Sequence, residues 1–399
     1  MKQASQPARV LRVAQAGIAS AALALLVACG GGSDNNNNAS DTPAGGVKLQ
    51  VVSFGDSLSD VGTYAPVATG NFGGGRFTTN PGQVWTQNVA QYYGDTLQAA
   101  ATGGFGIPLS LASGMGYAQG GARVTLQPGL GHATPGTPNA DFSQATTIPI
   151  NDQVTNYLSA HTNFNSNQLV LINGGANDIL VNLGAAQAAA QAAIDAAAAA
   201  AAGTGSVADA QAAALNAQTA AANANAAIKQ AAIDLAGVIG RVVQAGATHV
   251  VVTNVPDIGS TPQGLMSTDK GVTLTTASLG FNTVLQAALS QTGLLSKVIY
   301  FDTVSALANI TANFQTFGFS VSNTGTACNL QAMIDAATKF GEPDPTAFGT
   351  SLFCSPQTYT VAGADQTYMY ADTIHPTTHL HVLYAQAVEK AIAATGLGK

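Results

Sequence analysis

The chain has 399 residues, of which 46% are hydrophobic and 8% are charged, and its formal net charge is −7. A chain of this length can bury a sizeable core, in one large domain or in two ordinary ones. The scarcity of charge and the lack of basic tracts argue against nucleic-acid binding, which depends on clustered Lys and Arg.

The N-terminal segment has the pattern of a targeting sequence. Three basic residues precede an apolar run that ends at Val27, and this run is shorter than a membrane span of about 20 residues. Its end, Leu26-Val27-Ala28-Cys29, resembles a bacterial lipobox. Residues 1–28 are therefore expected to be a lipoprotein signal peptide, and Cys29 the lipidated residue of an exported protein anchored to the cell envelope. Gly30 after the cysteine favours the outer membrane; an ordinary cleaved signal peptide, with Cys29 incidental, is the alternative.

Residues 29–46 are rich in Gly and Asn and contain no large apolar residue. Such a segment cannot bury a core and predicts a flexible tether, so the folded domain is expected over residues 47–399. Cys328 and Cys354 are the remaining cysteines. An even pair in an exported chain predicts one disulfide, with two unlinked, buried thiols as the alternative.

Short apolar runs alternate with helical stretches along the rest of the chain, which is typical of a parallel sheet covered by helices. Buried strands are predicted over Leu49–Phe54, Leu169–Ile172, Val250–Thr253 and Val298–Phe301. Helices are predicted over Gln83–Tyr93, before Ala247 and over His379–Ala394. The Gly-rich stretches at 70–75 and 103–121 are predicted to be irregular loops that form part of a site.

Residues 184–236 form an Ala-rich segment interrupted by Gly203-Thr204-Gly205-Ser206. Alanine has the highest helix propensity, so two helices joined at this break are expected, as a hairpin inserted in the domain. The segment begins six residues after Asp178. The start of the hairpin is therefore expected near the site described next. The hairpin is either a substrate-access lid or a surface insertion.

Ser57 follows the first predicted strand directly, within Phe54-Gly55-Asp56-Ser57-Leu58. Active sites of open α/β sheets lie at the carboxyl ends of the strands, so Ser57 is a candidate nucleophile. Such a serine needs a general base, a group that orients the base and donors for an oxyanion.

His375 is the candidate base, because Asp372 precedes it by three residues and Pro376 follows it. A turn of this length lets the carboxylate hold the imidazole tautomer that leaves the other ring nitrogen facing Ser57. A metal cluster of His375, His379 and His381 is the alternative. His381 would point to another helix face, however, and no Cys or second acidic ligand lies close by, so the three or four convergent groups of a metal site are not expected.

Asn177 is the candidate oxyanion donor, since it follows a predicted strand and the turn Asn173-Gly174-Gly175-Ala176. Gly121 is the candidate backbone donor, with Gly120 as the alternative. Helix capping is the expected role of Asp178.

Four blocks in this order resemble the GDSL esterase/lipase family of the SGNH hydrolases: Phe54–Asp60, Tyr117–Ala122, Gly175–Asp178 and Asp372–Pro376. The resemblance implies a three-layer α/β/α, flavodoxin-like fold with a parallel sheet of about five strands. It implies that Ser57, His375 and Asp372 form a catalytic triad and that Ser57, Gly121 and Asn177 form the oxyanion hole. The Ala-rich segment departs from the family pattern.

The function implied is a serine carboxylester hydrolase that acts on an ester or lipid substrate through an acyl-enzyme and needs no cofactor. A lipid acyltransferase of the same family would use the same residues and pass the acyl group to an alcohol. A non-catalytic lipoprotein that binds lipid or cell-wall material is the third possibility. The sequence leaves the acyl chain, the alcohol and the oligomeric state open.

Overall fold

The computed structural model describes residues 42–72, 74–132, 145–341, 345 and 349–399. The expected signal peptide, Cys29 and the first part of the expected tether lie outside these residues. None of the helices in the described ranges is long and apolar enough to cross a bilayer.

The main sheet contains strands β1 (Gln50–Phe54), β4 (Gln168–Ile172), β5 (His249–Thr253) and β6 (Ile299–Phe301). They are parallel and lie in the order β1-β4-β5-β6. Each of the four lies within one residue of its predicted bounds. Strands β1, β4 and β5 are almost entirely buried, which explains their nearly continuous apolar sequences, whereas Ile299 and Tyr300 of the edge strand β6 are half-buried.

The described sheet has four strands, whereas the resemblance implies about five. The segment Met115–Gln119 runs along the free edge of β1, where Ser53 N donates to Met115 O (3.1 Å) and Tyr117 N donates to Ser53 O (2.8 Å). Between this segment and β1, only Ser53 and Gly116 pair as residues of neighbouring strands do, so the segment does not form a fifth strand. Gly114 and Gly116 allow the chain to pass close to its neighbours here, because a side chain at Gly114 would collide with the Gln98 backbone and one at Gly116 with the Val61 side chain. An irregular, Gly-rich segment thus covers the edge where another strand would pair.

Two further pairs lie outside this sheet. β2 (Ala101–Gly104) and β3 (Ile107–Leu111) form an antiparallel hairpin, and β7 (Val321–Thr326) pairs with β8 (Tyr368–Tyr370) in parallel. The prediction of an irregular loop over 103–121 is therefore wrong for its first part, because a hairpin forms despite two glycines and a proline. The predicted loop over 70–75 is wrong at its start, where helix α1 (Ala65–Phe72) extends into it.

Helices cover both faces of the main sheet and confirm the α/β/α arrangement. In chain order they are α2 (Trp85–Tyr92), α3 (Ile150–His161), α4 (Ala176–Ala201), α5 (Val207–Gln244), α6 (Pro262–Met266), α7 (Val272–Gln291), α8 (Thr303–Ala312), α9 (Leu330–Phe340), α10 (Ala364–Thr367) and α11 (Thr378–Ala393). Helices α3, α5 and α7 contribute to the core on one face, and α2 and α11 contribute to the core on the other.

Helices α4 and α5 pack against each other as a hairpin, joined by residues 202–206, where the break is predicted. No residue from 184 to 223 is buried, whereas the second half of α5, from Ala224 onward, packs into the core. The second half of α5 is thus a core helix between β4 and β5, and the exposed insertion is shorter than the predicted 184–236.

The exposed part of the hairpin has a regular seam. Half-buried alanines recur at spacings of three and four residues on both helices: Ala186, Ala189, Ala193 and Ala196 on α4, and Ala210, Ala213, Ala217 and Ala220 on α5. This spacing is that of a coiled coil. Because every seam position is alanine, the two helices can lie close together without large side chains between them.

Candidate active site

Ser57 lies in a tightly held turn after β1. Gln153 clamps the turn: its Oε1 accepts from Gly55 N (2.9 Å) and its Nε2 donates to Gly55 O (2.8 Å). A side chain at Gly55 would collide with Asn173. The neighbouring carboxylate of Asp56 accepts from Asn173 Nδ2 (2.7 Å) and from Leu58 N (3.1 Å). Burial raises the pKa of Asp56. The serine is therefore presented by a backbone that has little freedom to move.

His375 lies between Ser57 and Asp372, in the turn that follows β8. Its Nε2 is 2.9 Å from Ser57 Oγ, and its Nδ1 is 2.7 Å from Asp372 Oδ2. The other carboxylate oxygen of Asp372 accepts from the N–H groups of Ile374 (2.8 Å) and His375 (2.7 Å). The structure thus brings together the three residues that the sequence singles out, although Ser57 and His375 are 318 residues apart.

The carboxyl of Asp372 is held in its charged form. Burial alone would raise its pKa, but the interaction with His375 and the hydrogen bonds from His375 and Ile374 outweigh burial and lower the pKa to about 2. Asp372 Oδ2 also accepts from Ser351 N (2.6 Å). Asp372 therefore remains ionised at neutral pH although it is buried.

Ser351 connects the site to a disulfide, since Cys328 and Cys354 are bonded in the structure at an S–S distance of 2.01 Å. Asn80 reinforces this segment, because its Nδ2 donates to the carbonyls of Ser351 (3.0 Å) and Cys354 (3.1 Å). The disulfide therefore lies in the framework that supports Asp372.

The candidate oxyanion donors differ in what they already bind. Gly120 N donates to Asp60 Oδ2 (2.9 Å) and is occupied. In the described part of the chain, neither Ser57 N nor Gly121 N has an acceptor. Gly121 has a φ of +80°, and a side chain there would collide with Leu130 and Thr147. Of the two glycines, the structure leaves Gly121 the free donor.

Asn177 lies in the first turn of α4 and is buried. Its Nδ2 donates one hydrogen bond to Ala122 O (2.9 Å), which leaves the second amide hydrogen available. Asp178 does not cap the helix as expected. Its carboxylate accepts from Arg123 Nε (3.1 Å) and Val124 N (2.9 Å), so that it fastens the loop of Gly121 to α4.

Sequence reasoning missed Asp60, Arg123 and Asn173 as supporting residues. Asp60 accepts from Gly62 N (2.9 Å) and Thr63 N (2.7 Å) as well as from Gly120 N. Only 8% of the chain is charged. In such a chain a lone Arg or Asp beside a candidate loop is itself a signal, because an unpaired charge in a low-polarity interior is costly.

His379 and His381 do not join the site. His379 Nδ1 is 2.7 Å from Gln366 O, and His381 Nδ1 accepts from Trp85 N (3.2 Å). Burial, followed by the nearby His375, lowers the pKa of His381 to about 3. Among the described residues no three His, Cys, Asp or Glu side chains are grouped as metal ligands would be.

A cavity of about 1040 Å³ opens over Ser57. Ser57, Gly121, Asn177, Asp372 and His375 line its floor. One wall comes from the helical hairpin, through α4 and α5, and another includes Phe77, whose ring centroid is 5.1 Å from that of His375. The site is thus a concave, mostly apolar cavity with a few convergent polar groups, as is typical of ligand sites.

Comparison with known protein families identifies one family. The model of the GDSL-like Lipase/Acylhydrolase family matches residues 51–388, which include all the candidate site residues. No curated protein sequence matches the chain significantly. Since the matched region covers most of the chain, the protein belongs to the GDSL-like lipase/acylhydrolase family and is a hydrolase of ester bonds.

Proposed function

We propose that the protein is a serine carboxylester hydrolase in which Ser57 is the nucleophile, His375 the general base and Asp372 the group that orients the base. One observation carries the proposal: Ser57 Oγ, the His375 imidazole and the Asp372 carboxylate form a continuous chain of contacts of 2.9 and 2.7 Å on the floor of the cavity. The same three groups, in this order of contact, perform acyl transfer on unrelated folds.

The charged carboxylate of Asp372 accepts a hydrogen bond from the Nδ1–H group of His375, so the proton stays on Nδ1. The other ring nitrogen, Nε2, is then the basic one and faces the Ser57 hydroxyl. As Ser57 Oγ attacks the ester carbonyl, its proton moves to Nε2. The C–O bond to the alcohol breaks when the tetrahedral intermediate collapses, and the alcohol leaves with that proton.

The negative oxygen of the intermediate requires fixed donors. The N–H groups of Ser57 and Gly121 and the second amide hydrogen of Asn177 supply them, because none of the three is committed elsewhere within the described residues. Water, deprotonated by His375 Nε2, then attacks the acyl-serine ester. The bond between the acyl carbon and Ser57 Oγ breaks, His375 returns the proton to Oγ, and the carboxylic acid is released. Throughout, Asp372 remains ionised and holds the imidazole in place.

The test is turnover of p-nitrophenyl esters by the purified full-length protein. We expect Ser57→Ala to lower kcat/KM at least about a thousandfold, and Ser159→Ala, at an exposed serine of α3, to leave it unchanged. Mass spectrometry should find a trapped acyl group on Ser57. Equal activity of Ser57→Ala and wild type would contradict the proposal. Wild-type activity that yields esters of added glycerol or sterol instead of free acid would make the protein an acyltransferase.

We also propose that Cys29 is lipidated and anchors the exported protein to the cell envelope, with the outer membrane as its site. The lipobox-like ending of the N-terminal segment and the Gly- and Asn-rich sequence that follows it support this proposal. Cys29→Ala is expected to move the protein from the membrane fraction to the soluble fraction. Undiminished membrane association of that variant would contradict the anchor.

A further inference from the structure

We infer that the acyl chain of the substrate lies along helix α4 of the hairpin and that Gly184 sets the chain length that the cavity accepts. This inference rests on the proposed function, because it takes Asn177 as a donor to the ester carbonyl. It concerns the Ala-rich hairpin, which departs from the family pattern.

The direction of the acyl chain follows from the positions of His375 and Asn177. The leaving alcohol must receive its proton from His375 Nε2, so the alcohol lies on the side of His375, beside Phe77. The carbonyl oxygen points to Asn177, at the start of α4. From that carbonyl the acyl chain can continue along the same helix.

The wall that α4 offers is apolar. The residues of α4 and α5 that line the cavity include Leu180, Leu183, Ala186, Ala190 and Ala221. Of the residues between 180 and 225 that line the cavity, Gln187 and Asn225 are the only polar ones, and none is charged. The polar side chains of the cavity are concentrated instead between Thr261 and Thr273. A hydrocarbon chain therefore finds its matching surface on the hairpin.

Gly184 occupies a special position on this wall. It follows Asn177 by seven residues, which is two helical turns and about 10 Å along the same face of α4. A Cβ placed there would have no heavy atom within 4 Å, although Gly184 lines the cavity. The missing side chain thus leaves open space about 10 Å from the oxyanion donor, roughly the length of an eight-carbon chain.

Gly184 also departs from the local sequence. It is the one glycine of α4, in a helix otherwise made largely of alanine. Glycine in a helix interior costs about 1 kcal/mol relative to alanine. Such a departure from helix propensity is expected where function requires it, and here it keeps the cavity open.

The experiment compares p-nitrophenyl acetate with p-nitrophenyl dodecanoate on wild type, Gly184→Ala and Gly184→Leu. We expect Gly184→Leu to lower the dodecanoate-to-acetate ratio of kcat/KM at least tenfold, and Gly184→Ala to lower it less. Gly237→Leu is the matched control: Gly237 lies inside α5, also has open space around a Cβ, and does not line the cavity. It should leave the ratio unchanged.

An unchanged ratio in Gly184→Leu would overturn the inference. Both leucine variants should keep or raise Tm, because leucine has a higher helix propensity than the glycine that it replaces. The Tm of each variant therefore shows whether a changed ratio comes from misfolding or from a changed specificity.

A second measurement separates this inference from the proposed function. If wild type cleaves no ester, the proposed function fails, and binding of a dansylated undecanoic acid to Ser57→Ala still tests the acyl wall. In the Ser57→Ala background, Gly184→Leu should weaken binding of this acid at least tenfold and Gly237→Leu should leave it unchanged. This result supports the inference. Equal binding in all three variants overturns it.

Discussion

At the scale of single residues, the site depends on a few buried carboxylates. Asp60, Asp178 and Asp372 each accept backbone N–H groups from a neighbouring turn or loop. Each also connects two segments that carry candidate catalytic groups or support them. The motifs predicted which residues form the site, since Ser57, Asn177 and His375 stand in recognisable blocks. They did not predict the supporting contacts, because those join residues that are far apart in the chain and belong to no shared block.

Asn177→Ala tests the assignment of the oxyanion donor. Loss of one such donor lowers kcat by roughly 10²–10³, with little change in KM, because the hydrogen bond forms fully only in the transition state. The measurement is steady-state kinetics with a short-chain ester. Asn182→Ala, farther along α4 and outside the cavity lining, is the control and should retain wild-type kcat. A near-wild-type kcat for Asn177→Ala would remove Asn177 from the oxyanion hole.

At the scale of elements, propensity and periodicity predicted the strands and helices that are mostly buried. Strands β1, β4 and β5 were predicted because apolar, β-branched runs that are buried on both faces have few alternatives, and the half-buried β6 was predicted from its short apolar run. The β2–β3 hairpin was missed, since its strands contain Gly103, Gly104 and Pro108 and β3 is largely exposed. The start of α4 at Ala176, before the Ala-rich segment, was not predicted either. It depends on Gly175, whose φ of +108° and contact with Phe281 admit no side chain.

The alanine seam of the hairpin predicts a difference between two adjacent substitutions. Ala196→Leu places a large side chain between α4 and α5, and overpacking of this kind costs about 1–3 kcal/mol. Ala197→Leu places the same side chain on the exposed face, at the same helix propensity. Amide hydrogen exchange should be faster around residues 189–220 in Ala196→Leu only. The same exchange rates in both variants would mean that the seam does not hold the hairpin.

The disulfide predicts a combined loss of stability and activity. Replacing both cysteines, Cys328→Ser with Cys354→Ser, should lower the free energy of unfolding by about 3 kcal/mol, the loop-entropy value for a loop of this size. Turnover of the folded variant should also fall, because Ser351, which donates to Asp372, lies three residues before Cys354. Urea unfolding and kcat are the measurements. A reducing agent should lower the free energy of unfolding of wild type but not that of the double variant. An equal free energy of unfolding in wild type and the double variant would contradict a structural role for the bond.

At the scale of the whole molecule, stability should depend on pH through Glu389. Burial raises the pKa of this α11 carboxyl to about 7, from 4.5. A carboxyl whose pKa is higher in the folded than in the unfolded protein stabilises the fold fully below pH 4.5, and this contribution is lost as the pH rises through about 7. Because Glu389 is partly exposed, solvent screening reduces the effect to about 1 kcal/mol.

Glu389→Gln tests this dependence, since it removes the charge and keeps the shape. Wild type should lose stability between pH 5 and pH 8, and the variant should lose less, so that at pH 8 the variant has the higher Tm. Asp335→Asn, at an exposed carboxyl of α9, should behave like wild type. Parallel curves for wild type and Glu389→Gln would show that Glu389 does not carry the dependence.

The 318-residue separation between Ser57 and His375 also bears on the timing of synthesis. Ser57 follows the first strand of the sheet, but its base and its acid come only after β8, the last of the described strands. A growing or truncated chain that stops before Asp372 therefore carries an unpartnered serine and is inert. On the proposed mechanism, such an incomplete product cleaves no ester, so ester cleavage by this protein begins only after Asp372 and His375 have been added to the chain.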